Sequence, residues 1–532
     1  LTPRRKKEKV MKSPNQHVFS RVPHADIPRS RFRTEQGYKT TFDSGYLIPF
    51  YVDEVLPGDT FNLGVTSFCR LSTPVVPIMD NLYLDYQFWY VPLRLLWDNF
   101  VRMMGERDNP DDSIDYLAPQ IFAPADGGVG VGSISDYMGI PIGVSNLAFS
   151  AFWHRAYNLI WNEWYRDENL QDRVPFSKDD GPDDYGDYQL LPRGKRKDYF
   201  TGALPWPQKG PGVSIPLGES AEIRSDGQLV FGSTESEDEF NLVGGTISSA
   251  RQSVSLSVPD GGLSPGTGLQ YRSGLFADLS TATAATINSL RQAFQLQRLL
   301  ERDAVGGTRY CSLLVSHFGV TSPDSRLQRP EYLGGGSAPV NIHSVTQTSS
   351  TNSTSPQGNL AAVGTHGAHI GFSKSFVEHG VVLGLVSVRA DLTYQYGLHR
   401  MFSRRSRYDW YWPVLSHLGE QAILNKEIFA TGTSSDDEVF GYQERWSEYR
   451  YGFSKITGKL RSNAVGSLDV WHLAESFDSL PVLNGEFIES HPPVKRSLAI
   501  QDEPEFIFDS VISCDKVRPM PLYSVPGLID HF

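Results

Sequence analysis

The sequence predicts an all-β chain, on three observations. Short runs of alternating large side chains are bounded by turns. Gly and Pro (48 and 34 residues) together make up about 15% of the 532 positions, above the roughly 12% of average usage. No regular alternation of strand and helix patterns runs along the chain. A length of 532 residues points to one elaborated core or two domains. With 39% apolar, 12% aromatic and 21% charged residues, the composition lies far from intrinsic disorder and supplies a sizeable core.

The strand signals begin at Thr40. TTFDSGYLIPFYVDEVL stops at the turn Pro57-Gly58-Asp59, and TFNLGVTSFCRL follows. In NLYLDYQFWYV, Leu82, Leu84, Tyr86, Phe88 and Tyr90 recur at the period of two expected of a half-buried strand. A helix is predicted through NLAFSAFWHRAYNLIWNEWYRDENL, capped by Ser145 or Asn146, because Phe149, Phe152, Trp153, Ala156, Leu159, Ile160 and Trp164 recur at helical spacing. A second is predicted from Thr286 to Asp303, with Gly306-Gly307 as its stop. Between them, residues 208–285 turn Gly/Ser/Thr-rich with too few large apolar residues for a thick core, so they read as an insertion projecting from the main body. Val345 to Gln357 reads as an exposed loop, and HGVVLGLVSVRADLTYQY and YGFSKITGKLRSN as further strands.

The net charge of −12 is unevenly spread. Residues 1–40 hold eleven Lys/Arg, among them Arg4, Arg5, Lys6, Lys7, Lys9 and Lys12, against three acids, a balance of +8 on a body of −20. Such an arm seeks polyanions while the body stays soluble by self-repulsion. Cys69, Cys311 and Cys514 lie more than 200 residues apart, which rules out a disulfide framework or a thiolate zinc site. The longest apolar stretch, Val381 to Val388, is far below the ~18 residues of a membrane span, and no apolar signal segment follows the basic N-terminus.

Catalytic motifs fail on context. Gly262-Leu263-Ser264-Pro265-Gly266 lacks the strand and helix of a nucleophile elbow. Gly452 to Leu460 misses phosphate-loop spacing by one residue and reads as strand and turn, and Gly127 to Gly132 lacks dinucleotide spacing and a following helix. His366, His369 and His379 read as loop residues rather than metal ligands, and Asp179, Asp180, Asp183, Asp184 and Asp187 as a solvated loop, with a divalent cation as its one cofactor option. Glu420, Glu427, Glu444 and Glu448 lie near aromatics, as in sites that hydrolyse glycans. The most suggestive stretch is His399 to Trp412. Arg400, Arg404, Arg405 and Arg407 stand among Phe402, Tyr408, Trp410, Tyr411 and Trp412, the residue types that neutralise phosphates and stack on bases, and also those that dominate subunit interfaces.

Several long stretches carry a resemblance: IPRSRF, TTFDSGYLIPFYVDEVLPGDTF, LDYQFWYVPLRLLWDNFVRMMGE, GTRYCSLLVSHFGV with RPEYLGG, HGVVLGLVSVRADLTYQYGLHRMFSRRSRYDWYWPVLSHLGEQAILNKEIF and WHLAESFDSLPVLNGEFI. From Ser13 onward the chain resembles the major capsid proteins of microviruses, in particular the gokushovirus branch of small phages with circular single-stranded DNA. The resemblance implies an eight-stranded antiparallel jelly roll with large loop insertions, assembled with copies of itself as a T=1 icosahedral shell in the virion. It implies as partners the genome, a small basic DNA-binding protein, an internal scaffolding protein and a host receptor, without membrane insertion. On this reading 1–40 is an inward-facing or interface arm, 41–207 and 286–532 are the two parts of the jelly-roll core, and 208–285 is a threefold surface protrusion for host attachment. The rival is a β-sandwich protein that binds or hydrolyses glycans.

Overall fold

The computed structural model describes residues 27–213, 287–321, 328–353 and 355–523, and six short strands between 222 and 278. It divides into two compact units, Trp206–Gly319 and the remainder, Leu1–Pro205 with Val320–Phe532.

In the larger unit, nine strands form two sheets. One has the order β1 (Ser30–Phe42), β9 (Phe506–Arg518), β3 (Thr60–Leu71), β7 (Leu360–Ser375), β6 (Asn341–Thr346). The other has the order β5 (Glu331–Pro339), β4 (Leu82–Pro92), β8 (Gly380–Ala390), β2 (Ile48–Val55). Every pairing is antiparallel. Without β6 these are the eight strands of a jelly roll, and β6 extends the first sheet by a short hairpin on β7. β1 escapes sequence detection because SRFRTEQGYKTTF is an edge strand with little buried surface. Arg31 and Lys39 pair across to Asp515 and Asp509 on β9, so the end of the basic arm is sheet.

The sheets meet over an aromatic core. β3 alternates strictly, burying Phe61, Leu63, Val65, Cys69 and Leu71. Phe50 packs edge-on to Tyr86 and Phe88 at 5.9 and 5.8 Å, and Phe42 stacks on Phe506 at 5.8 Å. Cys69 and Cys514 are buried here as free thiols. One polar chain ties the layers. His366 Nδ1 donates to the Pro339 carbonyl (3.0 Å), which leaves Nε2 to accept from the Tyr86 hydroxyl (2.9 Å), and the Ser67 hydroxyl completes the chain at 2.7 Å. His366 and His369 therefore lie on a strand rather than a loop, on opposite faces, with His369 exposed beside Thr66.

β4 departs from the half-buried expectation, and β8 is covered in the same way. Trp89 and Val91, and Val381, Leu383 and Leu385, bury the second face of their sheet against Trp97, Ile121, Tyr157 and Ile160 from the long connection after β4. A strand covered on both faces reads as a continuous apolar run, which is why VVLGLVSV does not alternate. The covering helix α1 spans Phe152–Ile160 and continues into a π-helical turn, Trp161–Tyr165. It starts later than predicted because Ala148–Ser150 pairs as a strand with Gln120–Phe122, so neither Ser145 nor Asn146 caps it.

Within that layer Arg155 has no exposed side-chain surface. Its Nε donates to Asp183 (2.7 Å), and its other nitrogens reach Asp179 and the carbonyls of Leu96 and Asp179. Asp180 accepts from Trp97 Nε1 at 2.7 Å and Asp184 caps a short turn. The acidic run is thus an exposed loop at Asp179, Asp180, Asp184 and Asp187, as expected, but it buries the Asp183 side chain and, with Asp179, supplies the counter-charge of a buried arginine. No group of three His, Cys, Asp or Glu suited to hold a metal occurs among the described residues.

Two further expectations are corrected. Gly452 to Leu460 forms no strand beyond one bridge at Lys455 and a single turn, Gly458–Leu460. A four-residue helix, Ile134–Tyr137, does follow the glycines at 127–132. There Gly128 has φ of +64°, and a Cβ would stand 2.5 Å from Val144, so the segment is a tight turn. In the smaller unit a helix is present as expected, α2 (Ile287–Gly306), followed by α3 (Tyr310–Phe318). Among the six short strands, Glu222–Ser225 pairs with Leu275–Asp278, and Val230–Ser233 with Glu239–Val243 and Leu269–Tyr271. Gly262 to Gly266 lies outside the described residues. No helix is long and apolar enough to cross a membrane among the described residues.

Removing one partner of the buried ion pair strands the other. Arg155→Ala or Asp183→Ala is therefore expected to cost about 3–5 kcal/mol in denaturant unfolding, whereas truncating exposed Arg33 stays within about 0.5 kcal/mol. A pH effect comes from His154, buried beside Ser135, whose imidazole burial pushes down to about 4. The unfolded chain binds the proton first, so stability falls as pH drops from about 6.5 to about 4. His154→Gln should flatten that part of the stability profile, measured by melting temperature against pH.

Candidate assembly and nucleic-acid surface

The long connection between β8 and β9 builds its own small core. The hairpin Glu420–Leu424 and Val439–Glu444 packs Ile423 and Phe440 with Tyr199, Phe200, Ile428 and Phe487. Beside this core runs the segment His399 to Leu418, made of single 3-10 turns.

The structure divides the four arginines of this segment. Arg400 donates to Glu427 (2.8 Å) and to the Ala422 carbonyl (2.7 Å). Although burial works against its charge, Glu427 holds the guanidinium above its ordinary pKa. Arg404 donates to buried Glu448 (3.1 Å) and lies over the Tyr449 ring. These two are committed inside the subunit. Arg405 and Arg407 are exposed, with Arg407 over the Trp412 ring. Glu427 and Glu448 are 5% exposed, and Glu444 pairs with Arg450. Of the carboxylates considered for glycan hydrolysis, Glu427 and Glu448 are thus structural counter-ions of Arg400 and Arg404. Arg4, Arg5, Lys6, Lys7, Lys9 and Lys12 lie outside the described residues.

The aromatics behave differently. Phe402 and Tyr408 are 67% exposed, and Trp410, Tyr411 and Trp412 stay more than 40% exposed. Val414 and Leu418 extend the same apolar strip. Its base is fixed by Trp446, a non-glycine residue at φ 68°, held by its Nε1 bond to the Leu415 carbonyl and met edge-on by Tyr411 at 5.6 Å. Large exposed rings on a fixed base are the makings of an interface. The sequence pointed to this strip but not to its counter-ions or to Phe453, Lys455 and Arg461 nearby, because their proximity to it arises from folding across tens of residues.

An eight-stranded jelly roll of this connectivity places the chain in the class of double-sheet jelly-roll proteins, to which viral capsid subunits, lectins and cupins belong. Comparison with known proteins gives the particular family. A family model described as capsid protein (F protein) matches residues 20–528. The chain is 50% identical to capsid protein VP1 of Bdellovibrio phage phiMH2K over 531 residues, covering 97% of this chain and 99% of the relative. It is 44% identical to capsid protein VP1 of Chlamydia phage 1 (98% and 99% covered) and 35% to that of Spiroplasma virus 4 (96% and 97% covered). The chain belongs to this family of microvirus capsid proteins, of the gokushovirus type. It is a structural component of the phage particle rather than an enzyme.

Because Tyr408 and Trp410 are exposed in the single subunit, Tyr408→Ala and Trp410→Ala should leave its melting temperature nearly unchanged. As interface anchors they should each weaken association by about 2 kcal/mol or more, read as a raised critical concentration for assembly.

Proposed function

We propose that the chain assembles with copies of itself into a T=1 icosahedral shell around a circular single-stranded DNA genome, with residues 208–285 attaching to a host receptor. The observation that carries this reading is the exposed aromatic strip from Phe402 to Trp412, since a protein working alone would hide or dispense with it. The charge distribution supports it. A body of −20 repels the genome and an arm of +8 offers a modest, salt-dependent contact, so condensation falls to a small basic DNA-binding protein, with an internal scaffolding protein guiding assembly. No cofactor enters this reading; in the acidic loop that was its one candidate, Asp179 and Asp183 pair with Arg155.

Sedimentation and electron microscopy of the purified protein test it. Closed megadalton particles are expected, and a stable monomer under all assembly conditions overturns the proposal. Deleting residues 208–285 is expected to leave particles that form but adsorb poorly to host cells, and loss of assembly would remove the insertion from the attachment role.

A further inference from the structure

Next to the aromatic strip opens a pocket of about 210 Å³, lined by Phe200, His399, Phe402, Glu427, Phe453, Lys455 and Arg461 among others. Phe200 and Glu427 are buried at its base, while Phe402, Lys455 and Arg461 are exposed. The carboxylate inside is fully used. Glu427 Oε1 accepts from Arg400 and from the Leu424 amide (3.0 Å), and Oε2 accepts from the Tyr199 hydroxyl (3.0 Å). Lys455 and Arg461 have no carboxylate partner among the described residues. His399 lies edge-on to Phe453 with centroids 4.9 Å apart. Partial burial, with the charges of Lys455 and Arg404, holds its pKa below the ordinary histidine value, so at neutral pH it offers an uncharged ring.

Aromatic rings lining a pocket beside cations with no carboxylate partner among the described residues, and no free carboxylate in its lining, select a planar aromatic group joined to an anion. None of the unmodified protein side chains has that chemistry, and a nucleotide does. The volume is below the ~300–1,000 Å³ of pockets that enclose a drug-sized ligand, so it takes one ring and leaves the rest of the molecule outside. We propose that this pocket is a single-nucleotide subsite for the DNA strand: one base enters against Phe402 and Phe453, and flanking phosphates lie on Lys455 and Arg461. The proposal rests on the reading of the chain as a shell around single-stranded DNA and names where the strand is held.

The test is a fluorescence-anisotropy titration of the full-length subunit, before assembly, with a labelled oligodeoxythymidylate and with an abasic strand of equal length. One stacked base should make the thymidylate bind about tenfold tighter. Phe402→Ala should erase that preference and Phe402→Trp keep it, while Lys455→Glu with Arg461→Glu should weaken both strands and flatten the salt dependence. Equal affinity of the unmodified subunit for both strands, no binding of either, or a preference that survives Phe402→Ala overturns the subsite. Sedimentation of the same preparation under assembly conditions separates this from the shell reading: closed particles leave that reading standing, and monomers overturn it on their own.

Discussion

A sheet buried on both faces has to be covered twice, and that requirement organises the larger unit. The sheet of β2, β8, β4 and β5 presents one face to the aromatic core of the sandwich and the other to the layer around α1. Neither layer can be removed without exposing Val381, Leu383 and Trp89, or Tyr86, Phe88 and Val386. The connection after β4 is therefore a second wall of the core. Building it places Arg155 where water cannot reach, and Asp179 and Asp183 on the neighbouring loop supply the charge that makes this tolerable.

The connection after β8 follows the same logic at the surface. Arg400 and Arg404 are neutralised by buried Glu427 and Glu448, and Arg404 also stacks on Tyr449, which fixes the base of the segment. With the base fixed, Phe402, Tyr408 and Trp410 are held exposed in one arrangement before any partner arrives. Preorganised rings lose little conformational entropy on association, and that suits a subunit whose task is to meet other molecules repeatedly in one geometry.

Much of this was legible in the sequence, for identifiable reasons. β3 was visible because it is buried on one face only, so its period of two is strict. α2 was visible from helical spacing and the glycines that end it. β1 was not, because an edge strand that buries little carries little pattern. The start of α1 was misplaced because residues 148–150, compatible with helix, found a strand partner at 120–122. At the candidate site the composition of 399–412 marked the segment, yet the sequence could not tell the arginines apart. Arg400 and Arg405 look alike in a string of letters, and only the position of Glu427 separates a buried counter-ion pair from an exposed cation.

What the sequence determined alone was therefore local or cumulative: the β class, the turn-bounded strands, the lopsided charge and, through many long matching stretches, the capsid family. What tertiary structure decided was which face of each element meets which neighbour. It made an acidic loop the partner of Arg155, put His366 and His369 on opposite sides of a sheet, and brought Lys455 and Arg461 beside Phe402. Desolvation and ion pairing depend on distances between residues far apart in the chain, and those distances exist only once the two sheets and their covering layer have closed.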